Sequence, residues 1–109
     1  MASCSKLLEL PGVIAVGKYG SHGELLDYAG DVTLTAAKTA ALMAHANMAM
    51  GNMQAAGWTD YTGKEGFFPA LGFAISGPKK SALIVGNIGL FVENDKADFD
   101  MLFNALQNV

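Results

Sequence analysis

The segment from residue 41 to residue 57 reads ALMAHANMAMGNMQAAG, and the rest of the chain must be arranged around it. Its alanines and methionines, without a proline among them, are typical of an α-helix. Its apolar residues do not keep to one side, however. At 100° per residue they cover three faces, and only Lys38, His45 and Asn52 form a narrow polar line. The second of the three faces consists of Ala37, Ala41, Ala44, Met48, Gly51 and Ala55. A helix that is apolar on most sides must be buried on most sides.

The ends of this helix are predicted from capping residues. The helix is expected to run from Leu34 to about Ala56. Asp31 or Thr33 can accept a hydrogen bond from the first free backbone N–H groups, so either one can be the N-cap. Gly57 is predicted to end the helix as a left-handed C-terminal cap, a conformation that favours glycine.

Apolar runs bounded by glycine and turn residues predict strands on both sides of the helix. The segment Trp58–Gly66 is predicted to be irregular, and Gly86–Asn87 is either a tight turn or a bulge, a choice that the sequence leaves open. The predicted strands, in chain order, are Val13–Val16, Glu24–Tyr28, Phe67–Ile75, Ala82–Val85 and Ile88–Val92.

A short helix is predicted at each end of the chain. Ser3 or Ser5 caps the first, and Asn94 or Asp95 caps the last. The order is then α-β-β-α-β-β-β-α in a single domain, residues 1–109, of the α/β (α+β) class. Because the strands arrive as hairpins, the five-stranded sheet should be mostly antiparallel. The last helix carries one apolar stripe at positions i, i+3, i+4 and i+7, formed by Phe99, Leu102, Phe103 and Leu106.

The sheet can cover only one face of the long helix, so a second face needs another cover. A second copy of the same helix, related by a two-fold axis, is the simplest cover. Small residues would let the two backbones approach, and the flexible methionines would fill the remaining space. The sequence therefore predicts a homodimer with an interface formed by Ala40, Met43, Ala44, Asn47, Met48, Met50 and Gly51.

The same segment invites a metal or haem interpretation, because a histidine and a methionine together can bind copper or haem iron. His45 with Met48 or Met53 would be the ligands. The methionines spread over three faces and do not converge, and there is no C-x-x-C-H attachment motif. The sequence predicts neither a metal site nor a cofactor.

Composition limits the possible partners. The chain of 109 residues is 51% hydrophobic and 16% charged, with a net charge of −3 and no arginine. The acidic balance and the lack of arginine argue against nucleic acid as a partner. Polar residues interrupt the most apolar window, Ala36–Ala56, so it is a poor membrane span. A single cysteine and an N-terminus unlike a signal peptide indicate a cytoplasmic protein.

No catalytic constellation is recognisable in the sequence. Cys4 is expected in a frayed N-terminus as an exposed or half-buried thiol, with nothing to bring it to His22 in its turn. The glycine-rich segments lack a phosphate-loop pattern. Acidic residues from Glu93 to Asp100 suit the first turn of a helix and lack the order of a calcium-binding loop. The protein is therefore not expected to be an enzyme.

The residues from 7 to 26, LLELPGVIAVGKYGSHGELL, followed by the long helix, resemble the roadblock/dynein light chain superfamily. The resemblance spans nearly the whole chain. Its C-terminal half, with GFAISG at 72–77 and VGNIGLFV at 85–92, is similar to an uncharacterised bacterial branch of that superfamily. The resemblance implies a roadblock/profilin-like fold and a non-catalytic dimer. In such dimers the long helices pair, the sheets can join edge to edge, and the platform binds small GTPases or other proteins.

Two functions follow from these observations. The leading hypothesis is a homodimeric scaffold or regulatory module that mediates protein–protein interaction. The alternative is a small-ligand-binding sensor, since profilin-like sheets can hold a ligand between sheet and helix. In that case Trp58, Tyr61, Phe67 and Phe68 are the residues predicted to line the site.

Overall fold

The computed structural model describes residues 3–109, and within them the chain forms one five-stranded antiparallel sheet with helices on both faces. The element order is α-β-β-α-β-β-β-α, which confirms the predicted α+β class and the predicted antiparallel sheet. The elements are α1 (Cys4–Leu7), β1 (Val13–Tyr19), β2 (Leu25–Gly30), α2 (Leu34–Thr62), β3 (Gly72–Ser76), β4 (Lys80–Val85), β5 (Ile88–Glu93) and α3 (Phe99–Gln107).

The strand order is β2-β1-β5-β4-β3, which leaves β2 and β3 at the two edges. Strands β4 and β5 form a hairpin in which Val85 pairs with Ile88 across Gly86 and Asn87. Gly86 has a φ of 60°, which suits glycine at the first position of a two-residue hairpin turn. The choice that the sequence left open is therefore decided in favour of a tight turn.

The larger core lies on the face of the sheet that carries α1 and α3. Successive strand residues point to opposite faces, so Leu83 and Val85 of β4 share this face. They belong to the same buried cluster as Leu102 and Leu106 of α3, which are 0% and 4% exposed. The predicted apolar stripe of α3 is therefore confirmed, since its two phenylalanines also pack against this cluster.

The opposite face of the sheet carries α2, which contacts it mainly through small residues. Ala41 and Ala44 form a buried cluster with Tyr19 and Ile84. The buried residues of the helix all come from the second of the three predicted faces: Ala37, Ala41, Ala44 and Ala55. The other two faces of α2 are left largely uncovered within the protomer. Within residues 3–109, no helix is both long and apolar enough to cross a membrane.

The predicted C-terminus of α2 is wrong by about one and a half turns. The helix has 29 residues and ends at Thr62, with Gly63 as its left-handed cap at a φ of 69°. Gly57 lies inside the helix, because one glycine lowers helix stability by only about 1 kcal/mol and the residues after it continue the hydrogen-bonding pattern. At the other end, Thr33 is the N-cap, and its hydroxyl accepts from the backbone N–H of Ala36 at 3.1 Å.

Two glycine-to-alanine changes test this boundary with opposite expected signs. A Cβ at Gly57 would have no atom within 4 Å, so Gly57→Ala should raise the free energy of unfolding by ~0.5–1 kcal/mol. Gly63→Ala should lower it by about 1–2 kcal/mol, because alanine is strained at a positive φ. Urea denaturation measures both values. The opposite pair of signs would mean that the helix ends at Gly57.

The third predicted strand is corrected in both length and position. It begins at Gly72 rather than at Phe67, and it lies at one edge of the sheet. The segment that precedes it returns along α2, where the backbone N–H of Ala70 donates to Oδ1 of Asn52 at 2.9 Å. This N–H is therefore bonded to the helix and does not take part in strand pairing.

The first two strands extend beyond their predicted ends, to Tyr19 and Gly30. Ser3 is the cap of α1. The predicted cap of α3 is wrong. Asp98 caps it, and its Oδ1 accepts from the backbone N–H of Met101 at 3.1 Å. Asn94 cannot serve, because its side chain is held by Ser81 Oγ, which donates to it at 2.6 Å.

Candidate interaction surface

One side of α2 carries a line of residues that the sheet of the same protomer does not cover. We name Ala36, Ala40, Met43, Asn47 and Met50 the exposed stripe. Met43 and Met50 are 59% and 52% exposed, and the other three are exposed or half-buried. Exposed apolar side chains that form a continuous line, rather than scattered single residues, are typical of a contact surface.

The free edge of the sheet at β3 lies on the same side of the protomer as the exposed stripe. Met43 and Asn47 line the same groove as Ile75 of β3 and Phe91 of β5. Ile75 is 57% exposed and Phe91 is 38% exposed. As β3 is an edge strand, its outer backbone N–H and C=O groups pair with no other strand among residues 3–109. The exposed stripe, β3 and Phe91 together form what we name the interaction surface.

The seven residues predicted to form a dimer interface divide between two environments. Four of them, Ala40, Met43, Asn47 and Met50, lie on the exposed stripe. Ala44 is only 7% exposed and packs in the core, so the sheet of its own protomer already covers its methyl group. Met48 packs against the same cluster. Gly51 is half-buried beside Ala70, which lies 3.9 Å from the position of an added Cβ.

The other side of α2 faces the turn between β1 and β2. A Cβ added at Gly23 would lie 3.1 Å from Cβ of His45 and 3.2 Å from Cδ2 of Leu42. Glu24 stabilises this turn by accepting from the backbone N–H of His22 at 2.9 Å, and this hydrogen bond lowers the pKa of its carboxyl. Within residues 3–109, no three side chains of His, Cys, Asp or Glu are grouped so as to hold a metal ion.

Cys4 lies in a different environment from the predicted one. It is 2% exposed in α1, not frayed or half-buried, and its backbone N–H donates to Oδ2 of Asp27 at 3.4 Å. Burial raises the pKa of the thiol to about 11, and a hydrogen bond to the Asp27 carboxylate and its negative charge act in the same direction. A nucleophilic cysteine needs the opposite shift, towards the thiolate.

This raised pKa predicts a loss of stability at high pH. Between about pH 9 and 11, the unfolded thiol releases its proton while the folded thiol keeps it, so the free energy of unfolding falls as pH rises. To isolate the contribution of this thiol, the test compares wild type with Cys4→Ala by denaturation at each pH. The wild type should lose more stability than the variant. Parallel pH profiles would contradict the assignment.

The four aromatic residues predicted to line a ligand site do not do so. Trp58 and Tyr61 are 52% and 86% exposed near the end of α2, and Phe67 and Phe68 are 43% and 57% exposed after it. A cavity of about 150 Å³ does lie between α2 and the sheet, but none of these four residues lines it. The ligand hypothesis requires a space between sheet and helix. Such a space is present, but residues other than these four line it.

Two members of the interaction surface, Ile75 and Phe91, were not recognised in the sequence. Both lie in apolar runs, which predict strands buried on both faces. In β5, Leu90 and Val92 point to the core of α1 and α3, whereas Phe91 points to the side of α2. One feature of the sequence could have indicated that Phe91 is exposed, namely the small residues on the same face of the sheet. Ala15 and Gly89 lie close to Phe91 and leave its ring uncovered.

The fold was compared with solved structures and with curated proteins. A Roadblock/LC7 domain from Streptomyces avermitilis has a TM-score of 0.75 at 10% sequence identity, over 96% of this chain and 92% of that chain. MglB of Myxococcus xanthus has a TM-score of 0.65 at 20% identity, over 97% and 93%. At these identities the similarity establishes the fold alone. Among curated proteins, no match was found.

The fold is therefore the roadblock fold, as the sequence resemblance implied. It has a five-stranded antiparallel sheet, a long helix between the second and third strands, and a shorter helix at each end. A sequence model of the family described as "Uncharacterized conserved protein (DUF2173)" matches residues 3–108, and the chain belongs to that family.

Proposed function

We propose that this protein is a non-catalytic homodimeric module that acts as a scaffold or regulatory subunit through protein–protein interaction. One observation carries the proposal: an exposed apolar line on α2 and the free edge of β3 lie on the same side of the protomer. A single contact with a second copy would cover both features. Roadblock proteins, which the sequence resembles, are usually dimers of this kind.

The geometry of a two-fold axis suits both features. An edge strand that meets its own copy antiparallel pairs its free backbone groups and extends the sheet. The long helices would then lie side by side, with Met43 and Met50 of each copy against the other. An isologous contact needs a surface that is complementary to itself, and flexible methionines adapt to this requirement.

The proposed partner is another protein, with a small GTPase as the first class to test. This choice rests on the resemblance to the roadblock superfamily and not on any single side chain. One observation supports a non-catalytic role. The buried Cys4 has a pKa raised to about 11, which disfavours the reactive thiolate. A cytoplasmic location and a single functional domain are parts of the same proposal.

Sedimentation equilibrium at micromolar concentration tests the dimer. We expect a mass of twice the 11.4 kDa of the chain, and that mass should persist on dilution to roughly 1 µM. Hydrogen exchange should show protection of the backbone amides of Ala74 and Ser76, because Phe73 and Ile75 pair with β4 and these alternate amides point to the free edge. A protein that remains monomeric at 100 µM would overturn the proposal.

A further inference from the structure

The cavity between α2 and the sheet is apolar on all sides that residues 3–109 contribute. Its helix side is formed largely by alanines, and its sheet side by small, aliphatic and aromatic residues of all five strands. No charged side chain lines it. Of its two polar side chains, Tyr19 is already engaged, since its hydroxyl donates to the backbone carbonyl of Gly86 at 2.6 Å. Only the half-buried amide of Asn47 remains to contact an occupant.

Two glycines, Gly17 and Gly89, lie opposite each other on the sheet side of the cavity. Their lack of side chains enlarges the cavity, although the fold does not require glycine at either position. Gly17 and Gly89 are paired between β1 and β5, and neither has a positive φ. A Cβ added at Gly17 would lie 4.0 Å from Leu25 Cδ1, and one added at Gly89 would lie 3.6 Å from Ile84 Cγ1, both ordinary contacts. Neither backbone conformation nor close packing therefore requires glycine here.

Glycine inside a strand weakens it and often marks a place where a ligand or another backbone approaches closely. The backbone of α2 does not make such a close approach here, since no atom of α2 lies within 4 Å of a Cβ added at either glycine. We propose that the cavity lined by Gly17, Gly89, Ala41, Phe73 and Phe91 is a binding site for a small, uncharged aromatic molecule.

The size and lining of the cavity define this class of ligand. Its volume of about 150 Å³ is large enough for one molecule of the size of benzene. Charged molecules are excluded, because no side chain around the cavity would pair with the charge. The rings of Phe73 and Phe91 favour an aromatic ligand, and Asn47 can accept one hydrogen bond from it. Met43, at the rim, can move to admit the ligand.

Titration with indole, followed by two-dimensional amide NMR, tests the site in the full chain. We expect saturable shifts at or below roughly millimolar indole, centred on the amides of Gly17, Ala41 and Gly89. The double variant Gly17→Ala/Gly89→Ala fills the sheet side with two methyl groups and should weaken binding about tenfold or more. Its melting temperature should equal or exceed that of wild type, since alanine is favoured over glycine in a strand.

Gly57→Ala is the matched control, because it adds the same methyl group on the solvent side of α2 and should leave indole binding unchanged. The site does not exist if wild type shows no saturable shift, if the shifts lie elsewhere, or if the double variant binds as wild type does. The wild-type titration decides alone if the double variant fails to fold. Met43, Asn47 and Phe91 belong both to this cavity and to the proposed dimer contact, so sedimentation of the same samples with and without indole reports separately whether the ligand changes the dimer.

Discussion

Replacement of Val85 by aspartate is expected to abolish cooperative folding. Val85 is 6% exposed in β4 and belongs to the buried cluster that α3 completes with Leu102 and Leu106. A carboxylate at this position would have no charged partner, since the side chains of that cluster are apolar. An unpaired buried charge costs several kcal/mol, out of a total stability of roughly 5–15 kcal/mol for a domain of this size.

Thermal unfolding followed by circular dichroism measures this effect. Leu26→Asp is the control, because Leu26 is 57% exposed on the edge strand β2, outside the interaction surface, and the same side chain there reaches water. We expect the control to change stability by no more than about 1 kcal/mol, the range of strand propensities. A Val85→Asp protein that melts cooperatively near the wild-type temperature would mean that β4 is not a central strand.

The sequence predicted well those features that depend on local periodicity. The apolar stripe of α3 repeats every three or four residues, and this spacing places Leu102 and Leu106 in the core whatever the rest of the chain does. The second face of α2 was also grouped correctly, and Ala37, Ala41 and Ala44 are buried together. Periodicity determines which residues share a face, and this holds before any tertiary contact is known.

The end of α2 and the start of β3 could not be predicted in the same way. Gly57 and Gly63 are equally plausible caps by residue type, and the difference lies in the conformation, since only Gly63 has a positive φ. Likewise, the aromatic and apolar run at Phe67–Leu71 is typical of a strand when judged by residue type. Its actual course depends on the hydrogen bond between Ala70 and Asn52, a contact between residues 18 positions apart. Local sequence carries no information about such a contact.

The division of the predicted interface has a similar cause. The helix has three apolar faces, and the sequence does not say which of them meets the sheet of its own protomer. The structure assigns Ala44 to that face, so an arginine at this position would disturb the core before it could disturb a dimer. A test of helix pairing therefore has to use residues of the exposed stripe, where a substitution leaves the protomer intact.

Leu42 and Met43 provide that test, because they are neighbours in α2 with equal exposure of 59% and lie on different sides of the helix. Met43 belongs to the interaction surface, whereas Leu42 lies near the turn between β1 and β2. Met43→Glu should weaken the proposed dimer roughly 100-fold or more, since the two-fold axis brings two like charges into one contact and like-charge juxtaposition costs several kcal/mol.

Leu42→Glu should leave the dimer unchanged, since that side of the helix is not part of the proposed contact. Both variants should unfold at similar temperatures when compared as monomers, because glutamate is a good helix former and both sites reach solvent. Sedimentation over a dilution series from roughly 1 to 100 µM gives the dissociation constants. If both variants remain dimeric, or if Leu42→Glu is the one that dissociates, the two copies do not meet through the exposed stripe. The apolar line of Met43 and Met50 would then be covered by a different protein, and capture experiments with candidate GTPases should begin from that surface.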